Sequence, residues 1–142
     1  MTLLSFPDVN IWVALAVIEH THHEPAVRWW SAEKAQTIAF SRFTQIGMLR
    51  LLTSATVMKG QPLSMRNAWS VYDKLSEDER VKFLLEPPQI ERPFRQHSST
   101  RFASPNLWAD AYLVAMAEEL GATLVTFDSA LARRCKNSVL LP

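Results

Sequence analysis

Leu3-Leu4-Ser5-Phe6-Pro7-Asp8, near one end of the chain, and Thr123-Leu124-Val125-Thr126-Phe127-Asp128, near the other, share one pattern: a short apolar run that stops at an aspartate. A run of that length reads as a buried strand, with the acid just beyond the strand's carboxyl end. In open α/β sheets those ends border the crevice where ligands bind, so two acids distant in sequence are expected to meet in one pocket. Clustered carboxylates repel one another unless protonated or bridged by a cation. Oxygen donors of this kind suit Mg²⁺ or Mn²⁺, and the chemistry they suggest is metal-assisted work on phosphates.

Working outward from the first run, Asn10 is expected to cap a helix through Ile11–Ile18. The segment His20–Pro25 breaks it, and Pro25 suits the first turn of a second helix carrying Ala26, Val27, Trp29 and Trp30. Thr37–Phe40 reads as a second strand. Ser41 or Thr44 then caps a helix whose apolar residues Ile46, Met48, Leu49, Leu51 and Leu52 recur at helical spacing. Gly60-Gln61-Pro62 is a turn, and Ser64 opens a further helix. Val81–Leu85 is a third strand halted by Glu86-Pro87-Pro88. The polar stretch from about Ile90 to Ser104 is either a short helix with a loop or a mobile flap. Leu107–Leu120 is a long helix closed by Gly121. A short helix follows Asp128, and Ser138–Leu141 is an expected edge strand. Alternating strands and helices argue an α/β fold: a mostly parallel sheet of four to five strands flanked by helices on both faces.

The bulk composition agrees. The chain has 142 residues, 48% hydrophobic and 20% charged, which suits one domain over residues 1–142 with no linker or repeat. A formal net charge of +1 gives no global sign of nucleic-acid binding. The lone Cys135 excludes an intrachain disulfide and a multi-cysteine zinc site, and fits a reducing compartment. Ile11–Ile18 is too short an apolar run to span a bilayer, and Pro7, Asp8 and Asn10 argue against a secretory leader. A cytoplasmic protein without a membrane partner is expected.

Asp110 is the third candidate acid, in the first turn of the Leu107–Leu120 helix. Taken singly, each acid has an ordinary reading. Asp110 complements a helix dipole, Asp8 starts a turn, and Asp128 caps the helix at Ser129-Ala130-Leu131. The conjunction of all three with this order of elements is what is unusual.

That order resembles the PIN-domain nucleases, specifically the VapC-type toxins of toxin–antitoxin pairs. The likeness rests on Pro7-Asp8-Val9-Asn10, on Thr44-Gln45-Ile46-Gly47-Met48-Leu49-Arg50-Leu51-Leu52-Thr53, and on Trp108-Ala109-Asp110-Ala111-Tyr112-Leu113 with Thr126-Phe127-Asp128. His22-His23, Ala26 and Trp29-Trp30 also look like this family's second helix, where they mark packing. The resemblance implies a three-layer PIN-like fold and a Mg²⁺-dependent endoribonuclease, with Mn²⁺ an acceptable substitute. It implies direct metal ligation by Asp8 and Asp110, completion of the site by Asp128, and hydrolysis of RNA by a metal-activated water. It further implies a homodimer and a cognate antitoxin protein. The chain departs from the family where many members place a Glu and this one has Gln45. Gln brings a carbonyl but no charge, which implies weaker binding of any second metal.

Asn10 and Thr126 stand beside the acids and either orient them or serve as cap and strand residues. Arg42 and Arg50 are the basic residues nearest the acid-bearing elements. Each is placed to grip phosphate, and Arg50 equally to pair with an acid. Arg92, Arg95, Arg101, Arg133 and Arg134 are ordinary surface charges singly and a positive rim collectively. The tryptophans read as core or interface. Two other functions compete: a non-catalytic PIN-type RNA-binding or scaffold module, which Gln45 favours, and an Asp-dependent phosphotransfer enzyme. The latter needs an acid close to Asp8 and a Lys suitably placed beyond a late strand, and the chain supplies neither.

Overall fold

The computed structural model describes residues 3–142. Its elements run β1 (Leu4–Pro7), α1 (Val9–Ala16), α2 (His23–Ala32), β2 (Thr37–Phe40), α3 (Arg42–Leu52), α4 (Met65–Leu75) and β3 (Val81–Phe83). They continue with α5 (Glu91–Ser98), α6 (Leu107–Leu120), β4 (Thr123–Thr126), α7 (Ser129–Arg134) and β5 (Ser138–Leu140). The strands form one sheet in the order β3-β2-β1-β4-β5, and every neighbouring pair is parallel. The expected mostly parallel sheet is thus wholly parallel, β5 included. β1 and β4, which carry the two opening aspartates, lie side by side, with Ser5 opposite Thr123 and Pro7 opposite Val125.

Side chains that alternate along β2 feed both faces of this sheet. Ile38 and Phe40 join Trp12, Val13, Met48, Leu52 and Ala68 on the face covered by α1, α3 and α4. Ala39 joins Phe6, Leu113, Met116, Leu124 and Leu131 on the face covered by α6 and α7. A strand buried on both faces has to be apolar at nearly every position, which is why these runs lack polar alternation. Trp12 is fully buried and stacks on Phe40 at 3.7 Å between ring centroids. His22 stacks on Phe127 at 4.4 Å and His23 bonds the Ala14 carbonyl at 2.7 Å, so both histidines pack as expected. Cys135 is a buried free thiol.

Several boundaries differ from expectation. α1 starts at Val9, because Asp8 itself takes the extended cap conformation and accepts the Val9 N–H. Asn10 therefore lies in the first turn, exposed, and is not the cap. The helix stops at Ala16, leaving Ile18 76% exposed. Ser41, not Thr44, caps α3, with Thr44 returning the bond in a capping box. β3 ends at Phe83: Leu84 still donates to the Phe40 carbonyl, but the Pro87-Pro88 pair cannot extend a ladder. The 90–104 stretch contains α5 followed by a loop. At α6 the expected bounds hold, and Gly121 closes the helix at φ +67°. Among the described residues no helix is long and apolar enough to cross a membrane.

Candidate active site

β1 ends one residue short of β4 in register, and each delivers its aspartate to the N-terminus of the next helix. The Asp8 backbone N–H donates to the Val125 carbonyl, which ties the end of β1 to β4. Asp8 is buried; its Oδ1 accepts the Val9 N–H at 2.7 Å and its Oδ2 accepts the Thr126 hydroxyl at 2.9 Å. The Thr126 oxygen in turn accepts the Asp128 N–H at 2.9 Å, so one buried hydroxyl links the two strand-end acids. Asp128 is exposed, and its Oδ1 caps α7 by accepting from Ala130 and Leu131. α6 presents Asp110 from the side.

These three acids line one open cleft of about 370 Å³ with Val9, Asn10, Phe43, Ile46, Gly47, Arg50, Leu51, Ala109 and Leu113. Burial holds the Asp8 carboxyl above its ordinary range, partly offset by its two hydrogen bonds, and the charges of Asp110 and Asp128 raise it further. Burial also raises Asp110, with Asp128 adding to the effect and Arg134 opposing it. The cleft therefore disfavours its own negative charge, which a cation would relieve. Among the described residues no group of three His, Cys, Asp or Glu side chains forms a ready-made metal cage. Mg²⁺ does not need one: it is commonly held by one or two carboxylates and keeps several waters. The donor set, all oxygen and open on one side, fits such an ion.

Of the residues singled out from the sequence, the fold gathers Asp8, Asp110, Asp128, Asn10 and Arg50 around this cleft. Thr126 lies beneath it, fully buried against Asp8. Arg50 is exposed on the wall and makes no ion pair with an acid among the described residues. Gln45 and Arg42 stand apart from it. Gln45 is buried, and its Oε1 accepts from Arg42 Nη1 at 2.6 Å. The Arg42 guanidinium lies over the Phe83 ring, 4.5 Å from its centroid.

Two features went unread in the sequence. Phe43, Ile46, Gly47 and Arg50 form one face of α3 at helical spacing i, i+3, i+4 and i+7, so the wall they make was detectable as a stripe. Gly47 is there because a Cβ would lie 2.6 Å from Val9 Cγ2, the residue next to Asp8. Arg134 was read only as part of a collective rim, and its position toward Asp110 depends on where α7 packs.

The architecture places the chain among α/β proteins that collect carboxylates at the C-terminal edge of a parallel sheet. More narrowly, the chain belongs to the PIN-domain family, whose model matches residues 5–137. Ribonuclease VapC41 of Mycobacterium tuberculosis is 38% identical over 131 residues, spanning 89% of this chain and 90% of that protein. Among solved structures, VapC20 of M. tuberculosis, described as a sarcin–ricin-loop-cleaving toxin, has a TM-score of 0.69 at 16% identity, covering 98% of this chain and 99% of that one. VapBC2 of Rickettsia felis, bound to a DNA fragment from its promoter, has a TM-score of 0.57 at 15% identity, covering 96% of each chain. At these identities the two structures speak to the fold alone.

Proposed function

We propose that this chain is an endoribonuclease, the toxin of a toxin–antitoxin pair, that hydrolyses RNA phosphodiester bonds in the Asp8–Asp110–Asp128 cleft with Mg²⁺. The single observation that carries the chemistry is the convergence of three acids from β1, α6 and β4 on one cleft, two of them with raised pKa values. The ribonuclease reading is supported by the similarity to Ribonuclease VapC41 over nine-tenths of both chains.

Asp8 and Asp110 would hold the ion, and Asp128, with only one oxygen committed to capping, would reach it directly or through water. When bound, Mg²⁺ activates water at neutral pH and offsets charge on the phosphate in the transition state. The chain's own residues do the positioning. Thr126 fixes the Asp8 carboxylate by its hydroxyl, and the Val9 N–H holds the other oxygen. Arg50, on the cleft wall and without an ion pair among the described residues, is placed to take a phosphate oxygen beside the scissile bond. Gln45, turned onto Arg42 and away from the cleft, fixes the direction of that guanidinium. A hydrolysis of this kind leaves a 5′-phosphate and a 3′-hydroxyl.

A cognate antitoxin and a homodimer complete the proposal. The antitoxin rests on the resemblance of the sequence motifs to the VapC-type toxins and on the 38% identity to Ribonuclease VapC41.

The test is to incubate the protein with total RNA in Mg²⁺, in Mn²⁺ and in EDTA, and to sequence the new ends. Discrete metal-dependent cuts bearing 5′-phosphates, lost in Asp110→Asn, are expected. RNA that stays intact in both metals, or cuts that survive Asp110→Asn, would refute the assignment.

A further inference from the structure

His20, His22 and His23 share the turn between α1 and α2, all half-buried, and each ring is held differently. His20 joins two consecutive turns: its N–H donates to the Val17 carbonyl and its carbonyl accepts the His23 N–H, both at 3.0 Å. Its ring Nδ1 accepts the His22 backbone N–H, also at 3.0 Å. A backbone N–H can only donate, so this Nδ1 carries no proton and the ring is the neutral Nε2–H tautomer. The contact has the form of an Asx turn, in which a side-chain acceptor takes the N–H two residues on. His23 is the reverse case: its Nδ1 meets the Ala14 carbonyl at 2.7 Å, and a carbonyl can only accept, so this Nδ1 bears the proton. His22 uses its ring face, stacked on Phe127 at 4.4 Å. Of the three contacts, only that of His20 is broken by adding a proton to the ring. Phe127, under His22, lies between Thr126, whose hydroxyl donates to Asp8 and accepts the Asp128 N–H, and Asp128 itself. The turn is therefore seated on the middle of the link between the two strand-end acids.

We infer that His20 is a proton-released latch on the candidate active site. Neutral, it closes the α1–α2 turn and holds His22 on Phe127; protonated, it drops the His22 N–H, and the link between Asp8 and Asp128 loosens. The charges around it favour release. His22, with its ring 5.8 Å away, His23 and Lys59 from the segment after α3 all face His20 as cations or potential cations. Glu19 borders the same hollow, and among the described residues no carboxylate forms an ion pair with His20. That hollow, about 580 Å³ between Val13, Val17, Met58 and Leu63, gives a released ring room to turn. Burial pushes His20 below the usual histidine range, and His22, His23 and Lys59 push it the same way. The folded chain thus holds this proton less tightly than the unfolded chain. Stability from the neutral ring is complete above 6.5 and is lost as pH falls through the lowered value. The latch itself is independent of what the cleft does; its effect on cleavage rests on the ribonuclease reading.

The test follows amide hydrogen exchange of the full chain by NMR from about pH 7.5 to about pH 5, with the His20 ring titrated in the same samples. After correction for intrinsic exchange, protection of the His22 N–H is expected to fall up to about tenfold as His20 gains its proton, the worth of one hydrogen bond. Protection of the Asp128 N–H is expected to fall with it. His20→Asn keeps the turn with an acceptor that does not titrate, so both protections are expected to stay within about twofold over the range. In Mg²⁺, cleavage of RNA by wild type relative to His20→Asn is expected to fall several-fold over the same range. His22 protection that does not follow the His20 titration in wild type overturns the inference, whatever the variant does. So does a loss of Asp128 protection in acid that persists in His20→Asn, which assigns it to the carboxyl groups themselves. Failure of the ribonuclease reading looks different: both protections follow His20, and RNA stays uncut at every pH.

Discussion

Asp8 and Asp128 occupy equivalent places, one residue past the end of β1 and two past the end of β4, and each caps the helix that follows. Their surroundings are opposite. Asp8 is buried with both oxygens bonded, whereas Asp128 is exposed and commits only Oδ1. The same local pattern thus yields a fully bonded, reluctant anion at the centre of the sheet and an exposed one with a free oxygen nearer its edge. β1 is the middle strand, and the layers above and below it remove water from its end, while β4 has only β5 beyond it. Position in the sheet, more than the residue, decides how committed each acid is.

The largest effect should come from the central acid. Asp8→Asn is expected to cut RNA cleavage by more than about 100-fold, beyond the loss typical for residues that merely orient a metal ligand. It should also change the stability profile with a definite sign. Burial raises the folded-state pKa of Asp8 above 3.8, so the folded protein holds that proton more tightly than the unfolded chain. In metal-free buffer its contribution to stability therefore falls as pH rises from 3.8 through the raised value. Thermal melts across pH should show this slope in wild type and not in Asp8→Asn; identical slopes would contradict the burial of an ionisable group there.

Thr126→Val removes the link between the two acids while preserving shape. Activity should drop about 10–100-fold, and the metal affinity measured across pH should shift its midpoint upward, because Asp8 loses a bond that favours its anion. The edge acid should be more forgiving. Asp128→Asn keeps the cap and is expected to lose about tenfold in rate with little change in melting, whereas Asp128→Ala also costs about 0.5–2 kcal/mol in stability. Equal losses at Asp8 and Asp128 would erase the contrast between them. The smallest effect concerns the floor beside Asp8. Gly47→Ala forces its Cβ against Val9 Cγ2 and should destabilise by about 1 kcal/mol and slow cleavage a few-fold. Adding Val9→Ala to it should restore stability if that clash is the cause.

The sequence made the sheet and the acids legible because buried parallel strands must be apolar throughout, and an acid ending such a run stands out. β2 and α6 were read to the residue for related reasons, a capped boundary at Ser41 and a glycine in the left-handed region at Gly121. What stayed hidden depends on rotation about helix axes and on distant packing. The orientation of Gln45 toward Arg42, away from the cleft, follows from how α3 docks on the sheet. The exposure of Trp108, read as core or interface, follows from α5 packing on α6 and leaving that ring at the rim. Helical periodicity gives a face its members but not its neighbours.

The central claim, that these three acids hold a divalent ion, is tested most directly by calorimetric titration of Mn²⁺ into wild type, Asp8→Asn, Asp110→Asn and Asp128→Asn. The account predicts saturable binding in wild type, abolished by Asp8→Asn, strongly weakened by Asp110→Asn and least affected by Asp128→Asn. Affinity unchanged by Asp8→Asn would contradict it.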